Sequence, residues 1–166
     1  MINIALIGYG YWGPKLARNF QNSNHFNIKC IIDKSKKNLS NAKINFPLAK
    51  LFRNYEYIKK NSIDLVVVAS PTKSHFSITK YFLKYSHVLV EKPLSMSIRE
   101  VKLLEQISKK NKKLLFVDYP FLFSGSINFI KKTIQSKKYG NLLQIESFRE
   151  QAPIRKDSNV VWDLAV

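Results

Sequence analysis

The stretch NIALIGYGYWGPKLARNF, residues 3–20, decides the fold. It begins with a short apolar run that ends at Gly8, which is typical of a buried β-strand. Glycines follow at the first, third and sixth positions of the turn, Gly8, Gly10 and Gly13, and helical periodicity comes next. A strand, glycines at this spacing and a helix together form the dinucleotide-binding fingerprint in its required context.

Each glycine has its own task in this interpretation. Gly8 permits the tight turn, Gly10 lets the backbone approach a pyrophosphate, and Gly13 lets helix and strand pack closely. The N-terminus of the helix adds unpaired N–H groups and a partial positive charge for the phosphates. Tyr11 and Trp12 stand inside the loop, where they either line the phosphate site or pack against the first helix. An ordinary tight turn without a ligand is the alternative for the glycines.

Asp33 strengthens the dinucleotide interpretation. It lies 20 residues after Gly13, at the end of the second predicted strand. A carboxylate at this place accepts hydrogen bonds from the ribose hydroxyls of NAD and repels the 2′-phosphate of NADP. The sequence therefore predicts NAD as the cofactor and disfavours NADP, a preference that the neighbouring Lys34 and Lys36 soften.

Apolar runs alternate with helical patterns along the first 118 residues. Strands are predicted at residues 2–7, 26–33, 48–51, 63–70, 87–91 and 113–118. Helices are predicted at residues 12–21, 35–44, 73–85 and 97–111, with a helical turn at 55–60. This alternation indicates an α/β fold with a doubly wound parallel sheet of the Rossmann type. The run at 63–70 is β-branched and continuous, which suits a strand buried on both faces.

The pattern changes after Asp118. A linker leads to a predicted helix at 126–138 and to a strand at 140–150 whose mixed polarity is typical of a half-exposed sheet. We therefore expect a Rossmann domain at 1–119, and at 120–166 the linker helix and first strand of a truncated second α+β domain. The linker itself, from Tyr119 and Pro120 onward, either borders the cofactor pocket or forms an interdomain turn.

The net charge of +17 raises the question of nucleic-acid binding. Of the 28 cationic side chains, 23 are Lys and 5 are Arg, and the lysines are scattered over predicted helix faces. A nucleic-acid surface is expected to use arginine for its forked contacts to bases and phosphates. We therefore expect a solvated surface and no nucleic-acid partner, with a basic nucleic-acid binder as the alternative.

The cysteine, the apolar runs and the histidines limit which class of protein this sequence fits. The single cysteine, Cys30, permits no internal disulfide, which favours a reducing compartment and a cytoplasmic location. In its apolar strand this thiol is interpreted as a small buried hydrophobe, with a nucleophile as the alternative. No run approaches the ~20 apolar residues of a membrane span, so no membrane association is expected. His25 and His87 lack a second ligand at metal spacing, so no metal is predicted.

Two further segments carry a family resemblance. VVVASPTKSHF, residues 66–76, and VLVEKPLS, residues 88–95, resemble the glucose–fructose oxidoreductase and myo-inositol dehydrogenase family. In that family a fourth strand runs into Ala-Thr-Pro-x-x-x-His and a fifth into Glu-Lys-Pro, and Ser70 here replaces the threonine. The segments GYGYWGPKLARNF and NVVWDL look closest to the branch that oxidises sugar nucleotides, such as UDP-N-acetylglucosaminuronic acid 3-dehydrogenases.

The resemblance implies an NAD(P)-dependent oxidoreductase that moves a hydride from a secondary alcohol of a sugar or sugar nucleotide to the nicotinamide. It adds to the cofactor site the residues Ser70, Pro71, His75, Glu91 and Lys92. Lys92 also takes a catalytic role, because the matching family lysine hydrogen-bonds the reacting hydroxyl. His75 either touches the nicotinamide side of the site or is a surface residue at a helix N-terminus. The implied partners are a small-molecule substrate and, where the second domain is complete, further copies of the protein.

The last residues bear on catalysis. In the family an Asp-x-x-x-His pair supplies the acid/base histidine, and Asp163 matches its aspartate. The histidine would stand one position after Val166, the last of the 166 residues. We therefore expect a C-terminally truncated member, the cofactor-binding half of a dehydrogenase, and leave open whether this chain is itself an enzyme. A non-catalytic nucleotide-binding module is the alternative.

Overall fold

The computed structural model describes residues 1–58 and 62–148. The strands of this part are β1 Ile2–Ile7, β2 Phe26–Ile32, β3 Lys50–Phe52, β4 Leu65–Val68, β5 His87–Glu91 and β6 Leu115–Asp118. The α-helices of this part are α1 Gly13–Gln21, α2 Lys36–Asn45, α3 His75–Phe82, α4 Ile98–Asn111 and α5 Gly125–Gln135. Short 3₁₀ turns include Tyr55–Tyr57, Thr72–Ser74 and Pro120–Phe123.

These strands form a parallel sheet in the order β3-β2-β1-β4-β5-β6. The order reverses between β1 and β4, because the chain returns to the middle of the sheet before it builds the second half. Such a reversal opens a crevice at the carboxyl ends of the two central strands. The predicted α/β class with a doubly wound Rossmann sheet is confirmed.

The strand β4 is the centre of the core. Val66, Val67 and Val68 are all 0% exposed. Val66 and Val68 belong to one apolar cluster with Phe82 of α3, whereas Val67 belongs to a second cluster with Leu6 of β1. Neighbouring residues of a strand point to opposite faces, so helices cover this sheet on both sides. The burial predicted for this run on both faces is confirmed.

Local chemistry sets the helix boundaries. Ser35 precedes α2 in an extended conformation, and its side chain accepts a hydrogen bond from Asn38 N, as an N-cap does. Pro14 stands in the first turn of α1, where a missing N–H costs nothing. The helix predicted from residue 73 begins later, at His75, because a 3₁₀ turn follows Pro71.

The segment after β6 differs from its prediction. The predicted helix at 126–138 is α5, Gly125–Gln135. The predicted strand at 140–150 is wrong for residues 141–148, which take no regular structure. A strand needs a neighbour for its N–H and C=O groups, and no described strand pairs with this segment. Residues 149–150 lie outside the described part. No helix of the described residues is both long and apolar enough to cross a membrane.

Candidate cofactor site

The glycine loop joins β1 to α1. Gly8 has a φ of +98°, a conformation that favours glycine, and a β-carbon there would lie 2.5 Å from the carbonyl oxygen of Ala69. A β-carbon on Gly13 would overlap the carbonyl oxygen of Gly8. Gly10 is exposed, and a β-carbon there would meet no atom within 4 Å. The loop therefore has two close packings and one open side.

Aromatic residues flank the open side of the loop. Tyr11 is 75% exposed and Trp12 is 45% exposed, so neither ring is packed into the core beneath α1. The ammonium of Lys15 lies 3.5 Å from the ring centroid of Tyr11 and 4.4 Å from that of Trp12. Its hydrogen bond and its charge lower the pKa of Tyr11. This arrangement places a cation and two rings at the mouth of the loop.

Asp33 follows β2 and is tied to the glycine loop. Its Oδ2 accepts hydrogen bonds from the backbone N–H of Tyr9 at 2.7 Å and from the side-chain amide of Asn38 at 3.1 Å. Its Oδ1 accepts a third from the backbone N–H of Ser35 at 2.7 Å. Together these three donors hold the Asp33 side chain in one orientation. Sequence reasoning does not identify Asn38, because its contact with Asp33 depends on how α2 packs.

A second residue that sequence reasoning missed is Arg53. Its Nε and Nη2 donate to the carbonyl oxygen of Lys34, at 3.3 and 3.2 Å. This contact brings a guanidinium beside the residue that follows Asp33. The available signal was its place in the chain, since Arg53 directly follows β3, the neighbour of β2 in the sheet.

A crevice of about 380 Å³ opens between the glycine loop and α2. Its lining includes Tyr9, Gly10, Asn38, Asn41 and Asn45. The volume lies within the ~300–1,000 Å³ range of small-molecule sites. Since Asn38 also hydrogen-bonds the Asp33 carboxylate, the crevice adjoins the place predicted for the ribose.

The loop after β4 carries Ser70, Pro71 and His75. The hydroxyls of Ser70 and Ser74 are 2.7 Å apart, and Pro71 is exposed. His75 is only 1% exposed, so its interpretation as a surface residue is wrong. Its Nε2 lies 2.7 Å from the carbonyl oxygen of Ser70, and its Nδ1 lies 2.8 Å from that of Pro93. Contact between His75 and a nicotinamide stays a prediction.

The loop after β5 carries Glu91 and Lys92, both half-buried, and the buried Pro93. The Lys92–Pro93 peptide bond is cis. Glu91 pairs in register with Asp118, the last residue of β6, and burial raises the pKa of the Asp118 carboxyl. These groups therefore share the sheet edge that holds the glycine loop, because all the strands are parallel. Asp118 is a third residue that the sequence did not single out.

The remaining candidates have plainer surroundings. Tyr119 and Pro120 form a turn, in which the carbonyl oxygen of Tyr119 accepts a hydrogen bond from Leu122 N at 3.1 Å. Asp163 lies outside the described residues. Cys30 is 3% exposed, and burial raises the pKa of its thiol to about 12, which confirms its interpretation as a buried hydrophobe. Within the described residues, no three His, Cys, Asp or Glu side chains cluster as metal ligands do.

Comparison with known proteins finds relatives with the same fold. A family model for an oxidoreductase family with an NAD-binding Rossmann fold matches residues 2–119. Myo-inositol 2-dehydrogenase from Thermotoga maritima is 26% identical, over 99% of this chain and 52% of its own length. A solved putative oxidoreductase from Bacillus subtilis shares the fold with a TM-score of 0.80, at 22% identity, over 99% of this chain and 50% of its own.

A further solved structure contains ligands. Scyllo-inositol dehydrogenase from Lactobacillus casei, solved with NAD(H) and scyllo-inositol, has a TM-score of 0.76 at 22% identity. The match covers 84% of this chain and 42% of that chain. The chain thus spans about half the length of each of these relatives.

Proposed function

Because the chain belongs, through residues 2–119, to the oxidoreductase family of glucose–fructose oxidoreductase and myo-inositol dehydrogenase, we propose that it is the NAD-binding half of a dehydrogenase. The proposed reaction oxidises a secondary alcohol of a sugar or sugar nucleotide by hydride transfer to the nicotinamide. A myo-inositol dehydrogenase among the relatives supports a polyol substrate, and the sugar-nucleotide substrate rests on the sequence resemblance alone.

One observation carries the proposal: the backbone N–H of Tyr9 donates a hydrogen bond to the Asp33 carboxylate, with 2.7 Å between the nitrogen and Oδ2. It fixes an anion, the natural acceptor for two ribose hydroxyls, to the loop whose open side faces Gly10. The distance between the phosphate loop and the ribose acceptor is thereby set before any ligand arrives. Preorganised groups of this kind bind with less loss of conformational entropy.

The chain's own residues divide the chemistry among them. NAD, when bound, supplies the hydride acceptor. Asp33 orients the ribose, and the N-terminus of α1 faces the phosphates. Lys92 donates a hydrogen bond from its ammonium to the reacting hydroxyl and stabilises the negative charge that develops on that oxygen. Asp163 is proposed as the partner of the acid/base histidine.

The division of the chain belongs to the same proposal. Residues 1–119 form the cofactor domain, and residues 120–166 begin a second domain that supplies substrate contacts and an interface between copies. A non-catalytic nucleotide-binding module is the competing function, since the glycine loop and Asp33 need no catalytic group to hold a nucleotide. Turnover separates the two, since both bind NAD and only the dehydrogenase reduces it with a polyol.

Calorimetric titration of NAD and NADP into the chain tests the proposal. We expect NAD to bind more tightly than NADP, and Asp33→Ala to weaken NAD at least tenfold, since hydrogen bonds to charged groups contribute about 1.5–3 kcal/mol. Asp33→Asn serves as a second variant, because its amide oxygen keeps an acceptor for the loop. Unchanged NAD affinity in both variants would remove the ribose assignment.

Asp64→Ala is the matched control. Asp64 is exposed and accepts a hydrogen bond from Asn3 N at 2.8 Å, next to the first residue of β4. It therefore lies at the amino edge of the sheet, opposite the candidate site. We expect this variant to bind NAD as tightly as the unaltered chain does. That result would show that the loss of a carboxylate elsewhere in this basic protein does not weaken NAD binding.

A further inference from the structure

His75 occupies an unusual place for the first residue of a helix. Helix N-termini generally lie at the surface, and yet this imidazole is 1% exposed. Its two ring nitrogens face two backbone carbonyl oxygens, that of Ser70 at 2.7 Å and that of Pro93 at 2.8 Å. These carbonyls belong to separate loops, one after β4 and one after β5. The ring therefore bridges two loops at the carboxyl edge of the sheet.

The bridge continues into the glycine loop. A β-carbon on Gly8 would lie 2.5 Å from the carbonyl oxygen of Ala69 and 2.7 Å from the nitrogen of Ser70. The turn after β1 is thus pressed against the peptide that leads into Ser70. A displacement of Ser70 toward this turn would therefore displace Gly8 as well, because close-packed backbone leaves little free volume.

The bridge also continues toward Lys92. Pro93, whose carbonyl faces His75 Nδ1, is buried and follows Lys92 directly. The imidazole thereby restrains the backbone on which the Lys92 side chain stands. A side chain that must meet a reacting atom needs its supporting backbone fixed to within a fraction of an ångström.

We propose that His75 is a positioning residue that couples the glycine loop to the Lys92 loop through the carbonyls of Ser70 and Pro93. The catalytic value of this coupling rests on the proposed function, which gives Lys92 its role. The coupling itself depends only on the contacts of His75 with the two loops. Carbonyl oxygens only accept hydrogen bonds, so a neutral imidazole donates its one N–H to the carbonyl of Ser70 or to that of Pro93 and packs against the other, whereas an imidazolium donates to both.

The test reads the surroundings of Lys92 directly. Lysine amines are converted to ¹³C-dimethylamines, which keep their charge, and the Lys92 signal is assigned by its loss in Lys92→Arg. We compare the unaltered chain with His75→Leu and His75→Gln, before and after saturation with NAD. In His75→Leu we expect the Lys92 signal to move in the free chain and at least half of its NAD-induced shift to be lost. In His75→Gln, whose amide donates to a carbonyl, we expect partial recovery.

His87→Leu is the matched control. His87 begins β5, the strand that ends at the Lys92 loop, and its Nδ1 accepts a hydrogen bond from Leu114 N at 2.9 Å at the opposite edge of the sheet. Loss of this histidine disturbs the same strand without touching the bridge. We expect the Lys92 signal to stay unchanged. A folded His75→Leu chain whose Lys92 signal matches the unaltered chain, free and with NAD, would overturn the proposal.

One further readout covers a variant that does not fold. If His75→Leu fails to fold, the His75 ring N–H in the unaltered chain, labelled with ¹³C and ¹⁵N, decides. An N–H that exchanges slowly with water and couples to the carbonyl of Ser70 or Pro93 supports the bridge, and one that exchanges as fast as that of exposed His25 contradicts it. If the unaltered chain binds no NAD, the proposed function fails, while the Lys92 signal of the free chain still judges the bridge.

Discussion

The carbonyl oxygen of Gly8 rests against the α-carbon of Gly13, so closely that a β-carbon on residue 13 would overlap it. This contact joins the turn after β1 to the first turn of α1. Gly10 stands between them in sequence and faces open space. Packing within the fold therefore requires glycine at positions 8 and 13. At position 10 it does not, and the open space there is available to a ligand.

Gly13→Ala is expected to destabilise the chain. The added methyl group forces the turn and the helix apart, and overpacking of this kind costs about 1–3 kcal/mol. Urea denaturation followed by tryptophan fluorescence measures the change. An unaltered free energy of unfolding would show that the loop yields without cost.

Gly10→Ala is expected to separate stability from binding. The methyl group meets no protein atom, so the free energy of unfolding should stay within about 1 kcal/mol of the unaltered value. The same methyl group stands where the backbone is proposed to approach the pyrophosphate, so NAD affinity should fall at least tenfold. Equal NAD affinity in a folded Gly10→Ala chain would place the phosphates elsewhere.

The thiol of Cys30 is expected to be inert while the chain is folded. It is 3% exposed, and burial raises its pKa to about 12, so almost no thiolate exists at pH 8. A disulfide reagent should label the folded chain at least a hundredfold more slowly than the chain in urea. Cys30→Ser provides the blank, and rapid labelling of the folded chain would contradict the buried position.

Sequence reasoning succeeded where the signal is local. The apolar, β-branched run LVVV of β4 predicts a buried strand. The spacing of the glycines predicts the loop after β1, and Asp33 marks the end of β2. Each of these features depends on residues close together in the chain. The alternation of strands and helices along the chain likewise predicts the doubly wound parallel sheet.

Features that depend on distant backbone could not be predicted. The ring of His75 contacts the carbonyls of Ser70 and Pro93, and neither carbonyl is marked by the residue type that carries it. The second contact exists only because β4 and β5 pair side by side. The strand predicted at 141–148 is wrong for a related reason, since its mixed polarity suits a half-exposed strand and yet pairing needs a neighbouring strand that local sequence does not provide.

Ser35→Ala is expected to weaken α2 alone. The Ser35 hydroxyl accepts a hydrogen bond from Asn38 N at 3.3 Å, a long contact, so the loss should lie near the lower end of the ~0.5–2 kcal/mol typical of N-caps. The Ser35 backbone N–H still donates to Asp33, so NAD affinity should change less than threefold. Chemical denaturation and calorimetry on one preparation measure both. A tenfold loss of affinity would mean that the cap helps to position Asp33.

Asp118→Asn is expected to stabilise the chain at neutral pH. Burial raises the pKa of Asp118 from its usual value of 3.8, so the folded chain holds this proton at pH values where the unfolded chain has released it. The contribution of this group to stability therefore falls as pH rises through the folded pKa, because the folded state binds more protons. Asparagine has no charge at this position, so its burial carries no cost of desolvating a carboxylate. The gain at pH 7 should be about 0.5 kcal/mol or less, as at other partly exposed sites, and should vanish below the unfolded pKa. Urea titrations of both chains between pH 3 and pH 7 measure the difference, and a gain that grows toward acid pH would reverse the assigned sign.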